Sequence, residues 1–181
     1  MNLANKITIF RVLLIPVFVL TLYLDINNNH IYAAIIFSIA AITDTLDGYI
    51  ARSRNLITNF GKFIDPLADK MLVSTALILL VELGEIPGWI VAIIIAREFV
   101  ITGLRILAAS EGITIAASSW GKIKTITQLI AIILILLNNF PFNNINIPMD
   151  KIILYLSLIF TVISGFDYIS KNIDSLSLDD K

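Results

Sequence analysis

Four aspartates carry the chemistry this chain is equipped for: Asp44, Asp47, Asp65 and Asp69. Asp44 and Asp47 are three residues apart, Asp65 and Asp69 four, so on helices each pair shares one face. The two segments are consecutive in the chain and joined by a short polar turn. They are therefore antiparallel neighbours whose acidic faces can meet. Four converging carboxylates do not all stay ionised without a counter-charge. A hard divalent cation supplies it, and an oxygen-only donor set suits Mg²⁺ or Mn²⁺ rather than Zn²⁺. Two such ions side by side bridge a diphosphate and neutralise charge as one phosphate leaves. Gly48 and Ala51 continue the Asp44/Asp47 face with side chains small enough for a flat base or a backbone to approach closely.

The elements that must position these acids are membrane helices. Of the 181 residues 57% are hydrophobic and 15% charged, against about half and a quarter in a soluble domain. So short a chain cannot bury that much apolar surface against itself. Polar punctuation leaves six apolar segments near 7–24, 31–52, 66–83, 88–109, 122–138 and 150–169. Each approaches the ~20 residues a helix needs to cross the hydrocarbon core. Unbroken runs such as 71–81 and 129–137 lack the alternation of barrel strands. The expected fold is an all-α membrane protein of six transmembrane helices, one domain over 1–181, with a polar cavity facing the cytoplasm. In such a span an ionised carboxylate costs about 3 kcal/mol, and acids retained there mark function.

Orientation follows from the cations. With the N-terminus inside, twelve of the thirteen Lys and Arg fall on the cytoplasmic side and Lys151 alone on the outer side. Both termini are then cytoplasmic, in a cell-membrane protein. The outer turns are Asn-rich (27–29 and 138–146) or carry Gly, Pro and acids (82–88). There is no cysteine, which excludes disulfides and thiolate metal sites. The single histidine, His30, leaves acid–base and metal chemistry to carboxylates. A net charge of −1 and no long basic run argue against nucleic acid.

The stretch Asp44-x2-Asp47-Gly48-x2-Ala51-Arg52-x8-Gly61-x3-Asp65-x3-Asp69 resembles the signature of the CDP-alcohol phosphatidyltransferases, with all eight fixed positions met within 26 residues. Asn5-Lys-Ile-Thr8-Ile-Phe-Arg11, Arg97-Glu98-x4-Gly103-x-Arg105 and Trp120-Gly-Lys122-Ile-Lys124 look like its bacterial phosphatidylglycerophosphate synthase branch in particular. The resemblance implies a six-helix enzyme, usually a homodimer, with two divalent cations held by Asp44, Asp47, Asp65 and Asp69. It implies that Asp69 is also the general base. Gly48, Ala51, Arg52 and Gly61 would line the cytidine-diphosphate pocket, with Asn5 and Thr8 beside them. The implied donor is CDP-diacylglycerol, the leaving group CMP, and the acceptor glycerol 3-phosphate.

The acceptor can also be approached from charge. Arg97 and Arg105 lie eight residues apart on the fourth span, and Lys122 and Lys124 open the fifth. Cations converging on one cavity repel unless an anion joins them, and Arg matches phosphate through its planar fork. A phosphorylated acceptor fits; on this logic inositol phosphate fits as well as glycerol 3-phosphate. Blander readings stand beside each assignment. Arg97 can pair with Glu98, Lys122 and Lys124 can anchor a helix at headgroups, and Asn5 and Thr8 can cap an entry helix. Trp89 and Trp120 fit an interfacial belt. From other classes, a divalent-cation transporter or a non-catalytic scaffold would show no CMP release.

Overall fold

The structure, a computed structural model, describes residues 3–53, 59–110 and 118–172, with side chains described except at 3–5, 45–53, 59–66, 69 and 110. The described residues form six α-helices and no strand: α1 (Leu3–Tyr23), α2 (Asn29–Ser53), α3 (Asn59–Glu82), α4 (Gly88–Ser110), α5 (Ser119–Leu136) and α6 (Met149–Asn172). A 3₁₀ turn, Phe142–Ile145, precedes α6. Each apolar segment expected from the sequence lies within or nearly within one helix. The largest difference is at α3, which starts at Asn59 rather than near residue 66. Its first turns are polar, and a helix can run past the hydrocarbon core that its apolar part must match.

Three helices are long and apolar enough to cross a bilayer, over Lys6–Tyr23, Ser119–Leu136 and Met149–Asn172. A shorter apolar stretch covers Asn29–Asp44. The helix α4 is as long as these but carries Arg97, Glu98 and Arg105, all of which line an open cavity. Large apolar side chains such as Leu13, Leu20, Ile42, Phe99, Ile106 and Phe166 are exposed around the bundle. That is the surface expected of a protein whose solvent is lipid rather than water.

Four asparagines and one glycine make the turns at one end of the bundle. Asn28, Asn138, Asn139 and Asn146 have φ of 64°, 51°, 60° and 54°, and Gly84 has 76°. Left-handed backbone is costly for most residues and tolerated by Asn and Gly, which accounts for the Asn-rich turns seen in the sequence. Asn139 also staples its loop: its Nδ2 donates to the Ile147 carbonyl (2.7 Å), and its Oδ1 accepts from the Asp150 amide (3.1 Å).

The apolar core occupies the half of the bundle near those turns. Phe18 and Phe37 meet with ring centroids 5.9 Å apart, surrounded by Leu72, Leu77, Leu80, Ile90, Ile94, Ile132 and Leu136. Buried Ala33, Ala34, Ala40 and Ala76 let the helices approach closely. The main packing pairs are α1 with α2 and α5 with α6, while α3 touches α1, α2, α4 and α5. Because successive helices alternate in direction, the starts of α1, α3 and α5 and the ends of α2, α4 and α6 share the opposite end. All the chemically distinctive residues belong to that end.

Candidate active site

At this end α2 closes with Asp44 and Asp47, and α3 opens with Asp65 and Asp69; the two helices pack together. Asp44 receives a hydrogen bond from Arg11 Nη1 at 2.5 Å. Arg11 is wholly buried on α1, one turn beyond the equally buried Thr8. The sequence reading counted Arg11 as a topology charge; the structure makes it the partner of the first aspartate of the signature. A buried guanidinium is tolerated when paired, and this pair ties α1 to the acidic end of α2. The side chains of Asp47, Asp65, Asp69, Gly48, Ala51, Arg52, Gly61 and Asn5 lie outside the described residues. Among the described residues no three metal-ligating side chains converge. The donor chemistry itself, carboxylate oxygen throughout, fits Mg²⁺ or Mn²⁺.

At the same end lies a cavity of about 480 Å³. Its walls come from four helices: Lys70 of α3, Arg97, Glu98, Thr102 and Arg105 of α4, the Ser118–Ile126 end of α5, and Tyr168 of α6. Arg97 and Arg105, separated by about two helical turns, both face it, as does Lys122. Four cations, Lys70, Arg97, Arg105 and Lys122, thus line a space in which Glu98 is the one carboxylate among the described residues.

Glu98 is the hub of the cationic wall. Its Oε1 accepts from Arg97 Nη1 at 3.0 Å and from Lys124 Nζ, and its Oε2 lies 3.5 Å from Lys70 Nζ. Lys70 also donates to Thr102 Oγ1. The sequence reading sent both Lys122 and Lys124 toward phosphate. Residues two apart on a helix point in nearly opposite directions, and the structure divides them accordingly. Lys122 lines the large cavity, whereas Lys124 is 5% exposed, bonds Glu98 and borders a smaller neighbouring space.

The sixth helix contributes what the sequence reading passed over. Ser157, Thr161, Ser164, Gly165 and Tyr168 form its buried face at spacings of four, three, one and three. Ser164 Oγ accepts from Arg97 Nη2 at 2.9 Å. Gly165 makes room for that arginine, since a Cβ there would sit 3.3 Å from Arg97 Cγ. This stripe of small polar residues inside an apolar span was the available signal: in lipid, such a face seeks other helices rather than acyl chains. At the cavity rim Ser118 caps α5 by accepting from the Trp120 amide (3.2 Å) and donates to Asp167 Oδ2 (2.8 Å). Lys171 holds the other oxygen of Asp167 at 2.5 Å.

Comparison with known proteins identifies the family. Residues 1–163 match the family model for CDP-alcohol phosphatidyltransferases. The chain belongs to this family. It is 47% identical to the CDP-diacylglycerol–glycerol-3-phosphate 3-phosphatidyltransferase of Bacillus subtilis, over 97% of each chain. It is 38% identical to the protein of the same name from Rickettsia bellii, over 92% of this chain and 93% of that one. A probable phosphatidylglycerophosphate synthase of Mycobacterium tuberculosis is also 38% identical, over 94% of this chain and 81% of that protein.

Proposed function

We propose that this phosphatidyltransferase moves the phosphatidyl group of CDP-diacylglycerol onto glycerol 3-phosphate, giving phosphatidylglycerophosphate and CMP in phospholipid synthesis. The observation that carries the acceptor assignment is the cavity with four cations and one already engaged carboxylate. Such a wall is self-repelling until a dianion enters, and a phosphomonoester is the anion that matches two guanidiniums. The names of the near-full-length relatives support the same acceptor.

The chemistry is a displacement at phosphorus. A hydroxyl of the acceptor loses its proton to Asp69, its oxygen bonds the lipid-side phosphorus, and the bond from that phosphorus to the CMP oxygen breaks. Asp44, Asp47, Asp65 and Asp69 would hold two divalent cations, Mg²⁺ or Mn²⁺, whose bound charge offsets that developing on the departing CMP. Gly48, Ala51, Arg52 and Gly61, with Asn5 and Thr8, receive the cytidine diphosphate. Arg97, Arg105 and Lys122 hold the acceptor phosphate, and Lys124 acts on it through Glu98. Since little covalent work falls to the protein, positioning and fixed charge supply most of the rate.

The six helices all span the membrane, with both termini and the cavity at the cytoplasmic face, in one domain that pairs as a homodimer. The donor's acyl chains then stay in the leaflet while the soluble acceptor enters from the cytoplasm. The test is CMP release by the detergent-solubilised protein given CDP-diacylglycerol, glycerol 3-phosphate and Mg²⁺, which chelation should abolish. Release with serine or inositol phosphate but not with glycerol 3-phosphate would overturn the acceptor. No release with any alcohol, accompanied by ion flux in vesicles, would overturn the enzyme.

A further inference from the structure

Tyr168 is 4% exposed, lines the cationic cavity from α6, and its hydroxyl has no hydrogen-bond partner among the described residues. Buried phenols ordinarily have a partner, so an unengaged one at the wall of a cavity points to something that enters it. The neighbouring groups decide what that is. Lys70, Arg97, Arg105 and Lys122 are donors only. Glu98 is taken by Lys70, Arg97 and Lys124. Ser118 gives its hydrogen to Asp167, Thr102 to the Glu98 carbonyl and Thr125 to the Gly121 carbonyl. The described wall is therefore rich in donors and offers the phenol no available carboxylate. A hydroxyl among donors can still give its own hydrogen, provided that a ligand brings the oxygen.

We propose that the Tyr168 hydroxyl donates a hydrogen bond to the phosphate of the acceptor and is a specificity-determining residue for phosphorylated alcohols. This deepens the assignment of glycerol 3-phosphate as acceptor and rests on it. The local fold supports the placement. Gly165, one turn before Tyr168, lets Arg97 lie against α6, and Ser164 bonds that arginine at 2.9 Å. The Arg97 guanidinium, reaching over from α4, thereby lies against the same short stretch of α6 that carries the phenol. A phosphate oxygen can then meet a charged donor and a neutral one together. The neutral donor adds direction without adding to the repulsion among four cations.

The test is Tyr168→Phe in the full-length solubilised enzyme, which deletes the oxygen and leaves the ring. Losing one hydrogen bond to a charged group should raise KM for glycerol 3-phosphate about tenfold. KM for CDP-diacylglycerol and kcat at saturating acceptor should change by less than about twofold. Inorganic phosphate, as a competitive inhibitor, should weaken in the same proportion as the acceptor, because it shares only the phosphate. An unchanged acceptor KM overturns the proposal. So does an acceptor KM that rises while phosphate inhibition stays the same, which would place the phenol on the glycerol hydroxyls.

A second measurement does not depend on that variant's folding. With the five tyrosines carrying a 3-fluoro label, inorganic phosphate should shift at least one ¹⁹F resonance of the wild-type protein, and no shift overturns the contact. The underlying acceptor assignment fails separately. A wild type that answers phosphate in the ¹⁹F spectrum yet releases no CMP with glycerol 3-phosphate refutes the acceptor and leaves the tyrosine contact standing.

Discussion

The end of the bundle opposite the Asn-rich turns carries two sites of opposite sign, built in opposite ways. The acidic one is concentrated: its four aspartates come from 26 consecutive residues at the adjoining ends of α2 and α3. The cationic one is dispersed, taking Lys70, Arg97, Arg105, Lys122 and Tyr168 from four helices and 99 positions of sequence (70–168). Each gathers like charges that a ligand of the other sign would reconcile: under the proposed function, metal ions for one and a phosphate for the other. Concentration suits the acids, because ligands of one cation must lie within a few ångström of each other. Dispersion suits a cavity that must admit and release a small molecule.

If that contrast is right, substitutions at the two sites should fail differently. The largest effect belongs to Asp69→Asn, which under the proposed function would remove a cation ligand and the proton acceptor together. Turnover should fall by about a thousandfold or more, with CDP-diacylglycerol binding partly retained. A steady-state assay beside a donor-binding assay checks this, and near-normal turnover would dissolve the distinction between the sites. Arg105→Ala should act through affinity. The acceptor KM is expected to rise between about tenfold and a hundredfold, with the donor KM little changed. An equal shift in both constants would mean that the cationic wall does not read the acceptor. Smallest and most diagnostic is Gly165→Ala. Its Cβ crowds Arg97 Cγ at 3.3 Å, so the arginine must give by a few tenths of an ångström. The acceptor KM should rise roughly threefold, with melting temperature and donor KM nearly unchanged. A change in melting temperature alone would reduce Gly165 to a packing residue.

The same contrast explains which parts could be read from the sequence. All six helices were legible because long apolar runs broken by Asn, Gly and Pro leave lipid-facing chains no other form. Their ends were less so: the polar start of α3 at Asn59 looks like loop when helices are identified by apolarity alone. The acidic site was legible because its spacing lies within two neighbouring segments. In the cationic cavity Arg97, Arg105 and Lys122 were identifiable as charges inside or opening a span. Lys70 and Arg11 were not, because a lysine or arginine near the end of a span looks the same in sequence whether it meets headgroups or a carboxylate of a neighbouring helix. Only tertiary pairing, Arg11 with Asp44 and Lys70 with Glu98, separates the two cases. Lys124 differs from Lys122 for a related reason: charge alone does not distinguish them, whereas the half-turn between them carries Lys124 to Glu98.

Lys70 directly follows Asp69 on α3, and its ammonium is fastened to Glu98 and Thr102 of α4. The proposed proton acceptor and one edge of the cationic cavity are therefore mounted on adjacent rungs of one helix, about 1.5 Å apart along its axis. A slide or twist of α3 against its neighbours would carry both along, so that this wall of the cavity travels in step with the proposed base. Their offset along the bundle is thus set by the geometry of a single helix rather than by the packing between helices.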